Sequence, residues 1–414
     1  MSAIERKIVY FAQLLDRTGS MGKATGIFFL WVFSTLHCHA MAQEGDMQQI
    51  IEAVQEKYAP DSRVELFRIV ATQQQDTLLL EGETTSEPAY LELILQSKKV
   101  SAKVSDNIRL LPDKKLGDET GGVIYNSVGT LRSEPRYGSE LVSQALLGMP
   151  VKILEKKDGW LRIQTPDRYI GWINGSVKTM TRKSLQEYLR KPKIIITSVC
   201  GQSFESQDAA SFPVSDLVAG DMLTIRSEKE RFYEVVYPDG RAAYVKKTDA
   251  VEVSDWLRDV TMSGESVVNT ALRFKGIPYL WGGMSSKGLD CSGFTKLVYF
   301  LHGLILARDA SQQVLYGKLI DEAGNFGEAL PGDLLFFGSK ASSEDSKEKV
   351  VHVGIYIGDK RFIHASDYVR INSFDPSDPL YDEFNANRYL RTQRIIGEVN
   401  SEGIEEIFLN SFYQ

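Results

Sequence analysis

Cysteine and histidine are the residues here whose types and spacing could do nucleophilic chemistry, and both are scarce: three cysteines and five histidines in 414 residues. Cys291 sits in "KGLDCSGF", residues 287–294. In "LDCSGFTKLVYFLHG" the apolar residues Phe294, Leu297, Val298 and Leu301 recur at three and four, which predicts one buried helix face. Asp290 is a good N-cap, so Cys291 falls in the first turn. Unpaired amides and the positive end of the helix dipole there favour a thiolate. The expectation is a pre-activated nucleophile whose own N–H helps bind an oxyanion.

A thiolate that must hand a proton to a leaving amine needs an acid–base partner, usually histidine. His37 and His39 fall in an N-terminal leader, and His302 lies about three helical turns beyond Cys291, out of its reach. His352 and His364 remain, on two strand-like runs around "GDK", Gly358 to Lys360. A three-residue loop there pairs residues whose numbers sum to 718, which puts both histidines on one face as diagonal neighbours roughly 7–8 Å apart. A two-residue loop would send them to opposite faces. One imidazole would then serve as base and the other as its orienter. Each residue alone has a plainer reading, a structural cysteine or a half-buried strand histidine. Zinc ligation by the three is a further alternative, but their spacing fits no usual finger pattern.

The elements that must position these residues follow an apparent leader. From Met21, "MGKATGIFFLWVFSTLHCHAMAQ" has a charged start, a short apolar run and Ala-Met-Ala ending at Ala42, which predicts a signal peptide and an exported protein of the periplasm or cell envelope. Residues 1–20 fit neither signal nor domain. His37 occupies the place where lipid attachment at Cys38 would need a small residue. Cys200, in the apolar run "KIIITSVCGQ", is expected to be a buried free thiol, with a disulfide to Cys291 as the alternative in an exported chain. A net charge of −7 offers no basic stripe and argues against nucleic acid. Hydrophobic residues make up 43%, enough for the cores of two to four domains.

Residues 43–118 mix helical and strand-like patterns and read as a small α+β domain. Short strands between turn residues follow, with a repeat at an offset of 72: Gly148, Ile153, Lys157, Pro166 and Asp167 recur as Gly220, Ile225, Lys229, Pro238 and Asp239. Trp160, Trp172 and Ile173 find Phe232, Tyr244 and Val245 at the same offset, so two small β-barrels are expected, over 119–185 and 190–252. Their aromatics are explained as core residues. From 253 to 414 the pattern is mixed α and β, and the charged, Ser-rich "SKASSEDSKEKV" is expected to be an exposed loop.

"GIPYLWGGMSSKGLDCSGF", "PGDLLFFG", "VVHVGIYIG" and "FIHAS" together resemble the successive signatures of the NlpC-type bacterial cell-wall cysteine peptidases, over about residues 262–396. The first barrel, with "DGWLRI" and "YIGWI", resembles bacterial SH3-like domains, and the second does so more weakly. The resemblance implies a papain-like α+β catalytic domain with Cys291 as nucleophile, His352 as general base and acid, His364 as orienter and Tyr279 near the oxyanion. SH3-like domains ahead of such a domain resemble the γ-D-glutamyl-L-diamino acid peptidases, which recycle peptidoglycan stem peptides without metal or cofactor. It implies peptidoglycan-derived peptides as the partner, with a free N-terminal L-Ala amine held by Asp290, Ser292 and Ser311 and, from the first barrel, Glu140 and Tyr169; Glu134 competes with Glu140. A monomer is expected. An endopeptidase on intact wall, with an open cleft, is the alternative within enzymes, and a non-catalytic cell-wall binding protein the alternative outside them. Residues 43–118 have no counterpart in the resemblance.

Overall fold

The computed structural model describes residues 45–341, 343, 347–401 and 403–414, divided into two compact units between Leu110 and Leu111. The expected leader, with Cys38, lies outside the described residues, and the Ser-rich stretch before Val350 is described only in part. Among the described residues no helix is long and apolar enough to cross a membrane.

The first unit is α+β. Helix α1 spans 45–58, followed by strands β1 (Phe67–Gln74) and β2 (Thr77–Thr84), helix α2 (Glu87–Val100) and strand β3 (Val104–Leu110). Ser86 caps α2 by accepting from the Ala89 amide, and Lys98 and Lys99 sit in its last turn, where the helix dipole favours cations. β1 and β2 form a hairpin, and α2 supplies the crossover that lets β3 run parallel to β2. Met47, Ile51 and Val54 line one face of α1 and close a core with Leu78, Leu80, Ala89 and Leu93.

The second unit begins with two seven-stranded sheets in tandem. The first runs from Gly121 to Met180 and the second from Lys193 to Glu252. Pro150–Lys157, Trp160–Gln164 and Ile170–Asn174 reappear 72 residues later as Met222–Glu228, Phe232–Val236 and Ala242–Lys246. Even the bulge is copied, between Ile153 and Glu155 in one sheet and Ile225 and Ser227 in the other. The repeat read in the sequence is thus a repeat of strand order and irregularity alike. Neither sheet closes into a barrel, which corrects that expectation: the described pairings leave both with edges. Trp160 is buried as expected, with Tyr137 against its edge. Cys200 corrects another expectation. It begins its own strand, exposed, because "KIIITSVCGQ" breaks into Lys193–Ile196 and Cys200–Phe204, and both it and Cys291 are free thiols.

The remainder is built around a six-stranded antiparallel sheet packed on helix α3 (Cys291–Phe300). Its strands are β4 (Lys318–Asp321), β5 (Leu334–Ser339), β6 (Lys349–Gly358), β7 (Arg361–Ser366), β8 (Tyr368–Ser373) and β9 (Tyr389–Arg394), in the order β4-β9-β5-β6-β7-β8. Every residue of α3 is buried. Phe294, Leu297 and Val298 sit in a core that continues into the first seven-stranded sheet through Leu131, Ala145, Ile153 and Ile173. Full burial of such a side chain contributes about 1.5–3 kcal/mol, so the sheet and the helix are held as one body.

Candidate active site

Asp290 precedes α3 and its Oδ1 accepts from the Gly293 amide at 2.7 Å, the capping bond its position predicts. The capped turn presses against the preceding loop. A side chain at Gly293 would meet the Gly283 carbonyl oxygen at 2.0 Å, so the Gly of "CSG" is required by close approach. The Cys291 sulfur is fixed there, taking contacts from the backbone amides of Ser292 and of Val353, the residue after His352.

The hairpin carrying the two histidines turns through two residues, Asp359 and Lys360, both with positive φ, instead of the three expected. A bulge between Tyr356 and Gly358 adds the missing residue back. Ile355 therefore opposes Ile363, the register a three-residue loop would have given, and the histidines share a face. His352 Nε2 lies 2.7 Å from His364 Nδ1. His364 Nε2 lies 2.8 Å from Oδ1 of Asn372 on β8, a residue the sequence reading did not single out. The third candidate, His302, is tied to Thr270 and the Thr261 carbonyl.

Burial dominates the electrostatics. It pushes the Cys291 thiol up to about 12, with the Asp290 charge adding to it and the Val353 amide, Arg308 and the Ser292 amide opposing it. It also drives His352 well below 6.5, helped by His364, and lowers His364 to about 4. Burial thus works against the thiolate that the helix dipole favours. The acid at the helix N-terminus and the dry surroundings raise the thiol, while the Val353 and Ser292 amides and Arg308 lower it. Tyr279 lies near enough to Cys291 for a thiolate charge to raise its phenol further, and burial keeps that hydroxyl a donor.

Asp290 does more than cap. Arg308, a buried guanidinium, donates from Nη2 to Oδ2 at 2.6 Å and from Nη1 to Oδ1 at 3.1 Å. The Gly282 amide also donates to Oδ2, at 2.9 Å. Both oxygens expected to hold a substrate amine are therefore engaged within the protein. Arg308 reaches Ser292 Oγ at 3.1 Å and, across to the first sheet, Ser143 Oγ at 3.0 Å. Ser311 is half-buried on the short helix α4 (Ala310–Gln313), while its neighbour Gln313 props the start of α3 by donating to the Ser292 carbonyl.

Asp309, which was not singled out from the sequence, caps α4, pairs with Arg308 Nη1 at 3.9 Å and also reaches the first sheet. Its Oδ2 accepts from the Tyr169 hydroxyl at 3.3 Å. Glu140 Oε1 accepts from Trp281 Nε1 at 2.8 Å, whereas Glu134 pairs with Arg136 on its own loop. Glu140 and Tyr169 thus both touch the catalytic domain, one beside Gly282 and the other beside Arg308. A buried pair, Lys296 and Asp167 at 3.1 Å, holds the turn that carries Tyr169 against α3.

Residues 276–394 match the model of the NlpC/P60 family, and residues 131–176 that of the bacterial dipeptidyl-peptidase Sh3 domain. The chain is 31% identical over 265 residues to a γ-D-glutamyl-L-lysine dipeptidyl-peptidase of Bacillus cereus, covering 61% of this chain and 76% of that protein. It is 29% identical to dipeptidyl-peptidase 6 of Lysinibacillus sphaericus, covering 63% and 93%. A crystal structure of an NlpC/P60 family protein from Bacillus cereus superimposes with a TM-score of 0.56 at 24% identity, over 67% of this chain and 99% of that one, a likeness of fold.

Proposed function

This chain belongs to the NlpC/P60 family of cysteine peptidases, and from that premise we propose that it hydrolyses the γ-D-Glu–L-diamino acid bond of peptidoglycan stem peptides whose N-terminal L-Ala amine is free. The domain limits that go with this reading are 43–118, 119–185, 190–252 and 253–414, and the site of action is outside the cytoplasm. Cys291 is the nucleophile. As the γ-carbonyl of D-Glu approaches, His352 takes the thiol proton and the sulfur adds to the carbonyl carbon. Amides of the first α3 turn and the Tyr279 hydroxyl are the donors for the oxyanion. His352 returns the proton to the leaving amine, leaving a thioester, and then draws a proton from the water that releases the acid. His364 orients His352 throughout.

The observation that carries the specificity is the Tyr169–Asp309 hydrogen bond across the two domains. With Glu140 accepting from Trp281, it supports a wall from the first sheet that carries acidic groups at the amine end. An ammonium entering that end finds acidic partners, and a chain extended past its amine meets the wall. In this reading Asp309 joins Asp290 at the amine end, both of them also paired with Arg308. The test is to offer free L-Ala-γ-D-Glu-L-Lys and purified intact peptidoglycan in parallel. Release of L-Ala-γ-D-Glu from the tripeptide with the wall left unsolubilised is expected. Solubilisation of intact wall at a comparable rate would make the enzyme a wall endopeptidase.

A further inference from the structure

His352 and His364 are joined through specific nitrogens, and a hydrogen bond between two neutral imidazoles needs one donor and one acceptor. Which is which decides whether His352 has a lone pair to offer the thiol. The answer lies at the far end of the chain, on β8. Asn372 pairs with Phe362 and Arg370 with His364, so Asn372 is a diagonal neighbour of His364 on the same face. Its Nδ2 donates to the Leu380 carbonyl at 3.2 Å, which fixes the amide with Oδ1 towards His364 Nε2.

We propose that Asn372 is a positioning residue that sets the tautomers of both histidines, and through them makes Nδ1 of His352 the base. The deduction rests on the reading of Cys291 and His352 as the reacting pair. An amide oxygen only accepts, so His364 Nε2 carries the proton. His364 is neutral, so its Nδ1 is an acceptor, and the His352 nitrogen 2.7 Å away, Nε2, must donate to it. The lone pair of His352 is then on Nδ1, the nitrogen turned away from His364. When Nδ1 takes the thiol proton, the imidazolium keeps its Nε2–H on a neutral His364 that cannot swing, because Asn372 holds its other side. Without Asn372 the opposite arrangement becomes available: His364 Nδ1–H donating to His352 Nε2, with the His352 proton on Nδ1 and its lone pair committed to His364.

Two-bond nitrogen–proton NMR of the full chain at neutral pH reads these tautomers directly and without substrate, so the result stands whatever peptide the enzyme cleaves. The expected pattern is Nε2–H on both His352 and His364; a proton on His364 Nδ1 overturns the proposal. In Asn372→Leu a second His364 tautomer is expected, with kcat lowered about 10- to 100-fold, the usual cost of losing such an outer partner, and KM within about twofold. Asn372→Asp, which still accepts from Nε2–H, is expected to restore a single tautomer and most of kcat. Loss of kcat in Asn372→Leu with both tautomers unchanged would also overturn it, because a purely structural residue behaves that way.

Discussion

The Tyr169 hydroxyl lies 3.3 Å from Asp309 Oδ2, joining residues 140 positions apart from the first seven-stranded sheet and from the loop after α3. A strand-end tyrosine of the first sheet thereby meets the peptidase domain, and in the proposed function that contact makes the sheet a wall of the site.

Asp309→Asn removes the charge that the proposed function sets before an incoming ammonium, and weakens the pair with Arg308, while keeping the Tyr169 contact. A charge-assisted hydrogen bond is worth about 1.5–3 kcal/mol, so kcat/KM for free-amine peptides should fall roughly 10- to 100-fold. Tyr169→Phe should cost less, about tenfold or under. Steady-state kinetics of both variants check this; an Asp309→Asn enzyme with unchanged kcat/KM would remove Asp309 from the amine site.

Arg308 is the hub on which Asp290, Ser292 and Ser143 converge. Arg308→Met leaves the buried Asp290 carboxylate uncompensated, a loss of about 3–5 kcal/mol. Urea unfolding of the variant should show that loss, and Asp290→Asn added to it should recover part. A change below about 1 kcal/mol would mean the pair matters little for folding.

His364, held neutral by burial, makes stability depend on pH. Its folded value is lowered to about 4 from 6.5, so its contribution is fully present above pH 6.5 and is lost as pH falls towards 4, because the unfolded chain binds the proton first. The loss is on the order of 3 kcal/mol for a shift of that size. His352, lowered well below 6.5, acts in the same direction. Unfolding measured from pH 8 to pH 4 should decline through this window, and His364→Gln should flatten it.

Much of the site was legible because it is local in sequence. The cap at Asp290, the first-turn Cys291 and the two strand histidines follow from helical spacing and strand register, and the offset of 72 exposed the tandem sheets. The hairpin was right in register for a reason the sequence hid, since a bulge at Tyr356 compensated for a shorter turn. Arg308, Asp309 and Asn372 were not singled out because their meaning lies in what packs against them: a guanidinium beside a cap, a carboxylate beside a distant tyrosine, an amide one strand away. The thiol's setting was legible only in part for a related reason, as the helix dipole can be read from sequence and the depth of burial cannot.

The lock beneath Tyr169 should show in kinetics. Lys296→Met leaves Asp167 buried without its partner, at a cost of about 3–5 kcal/mol. If the variant remains folded, KM for the free-amine peptide should rise more than kcat falls, because the turn bearing Tyr169 is released while the catalytic histidines are untouched. A change confined to kcat would contradict this.

The central claim, that the cleft reads a free amine, is tested most directly by hydrolysis of L-Ala-γ-D-Glu-L-Lys beside the same peptide acetylated on the alanine nitrogen. Cleavage of the free peptide with the acetylated one left intact is the predicted result. Equal cleavage of both would contradict the amine-reading wall.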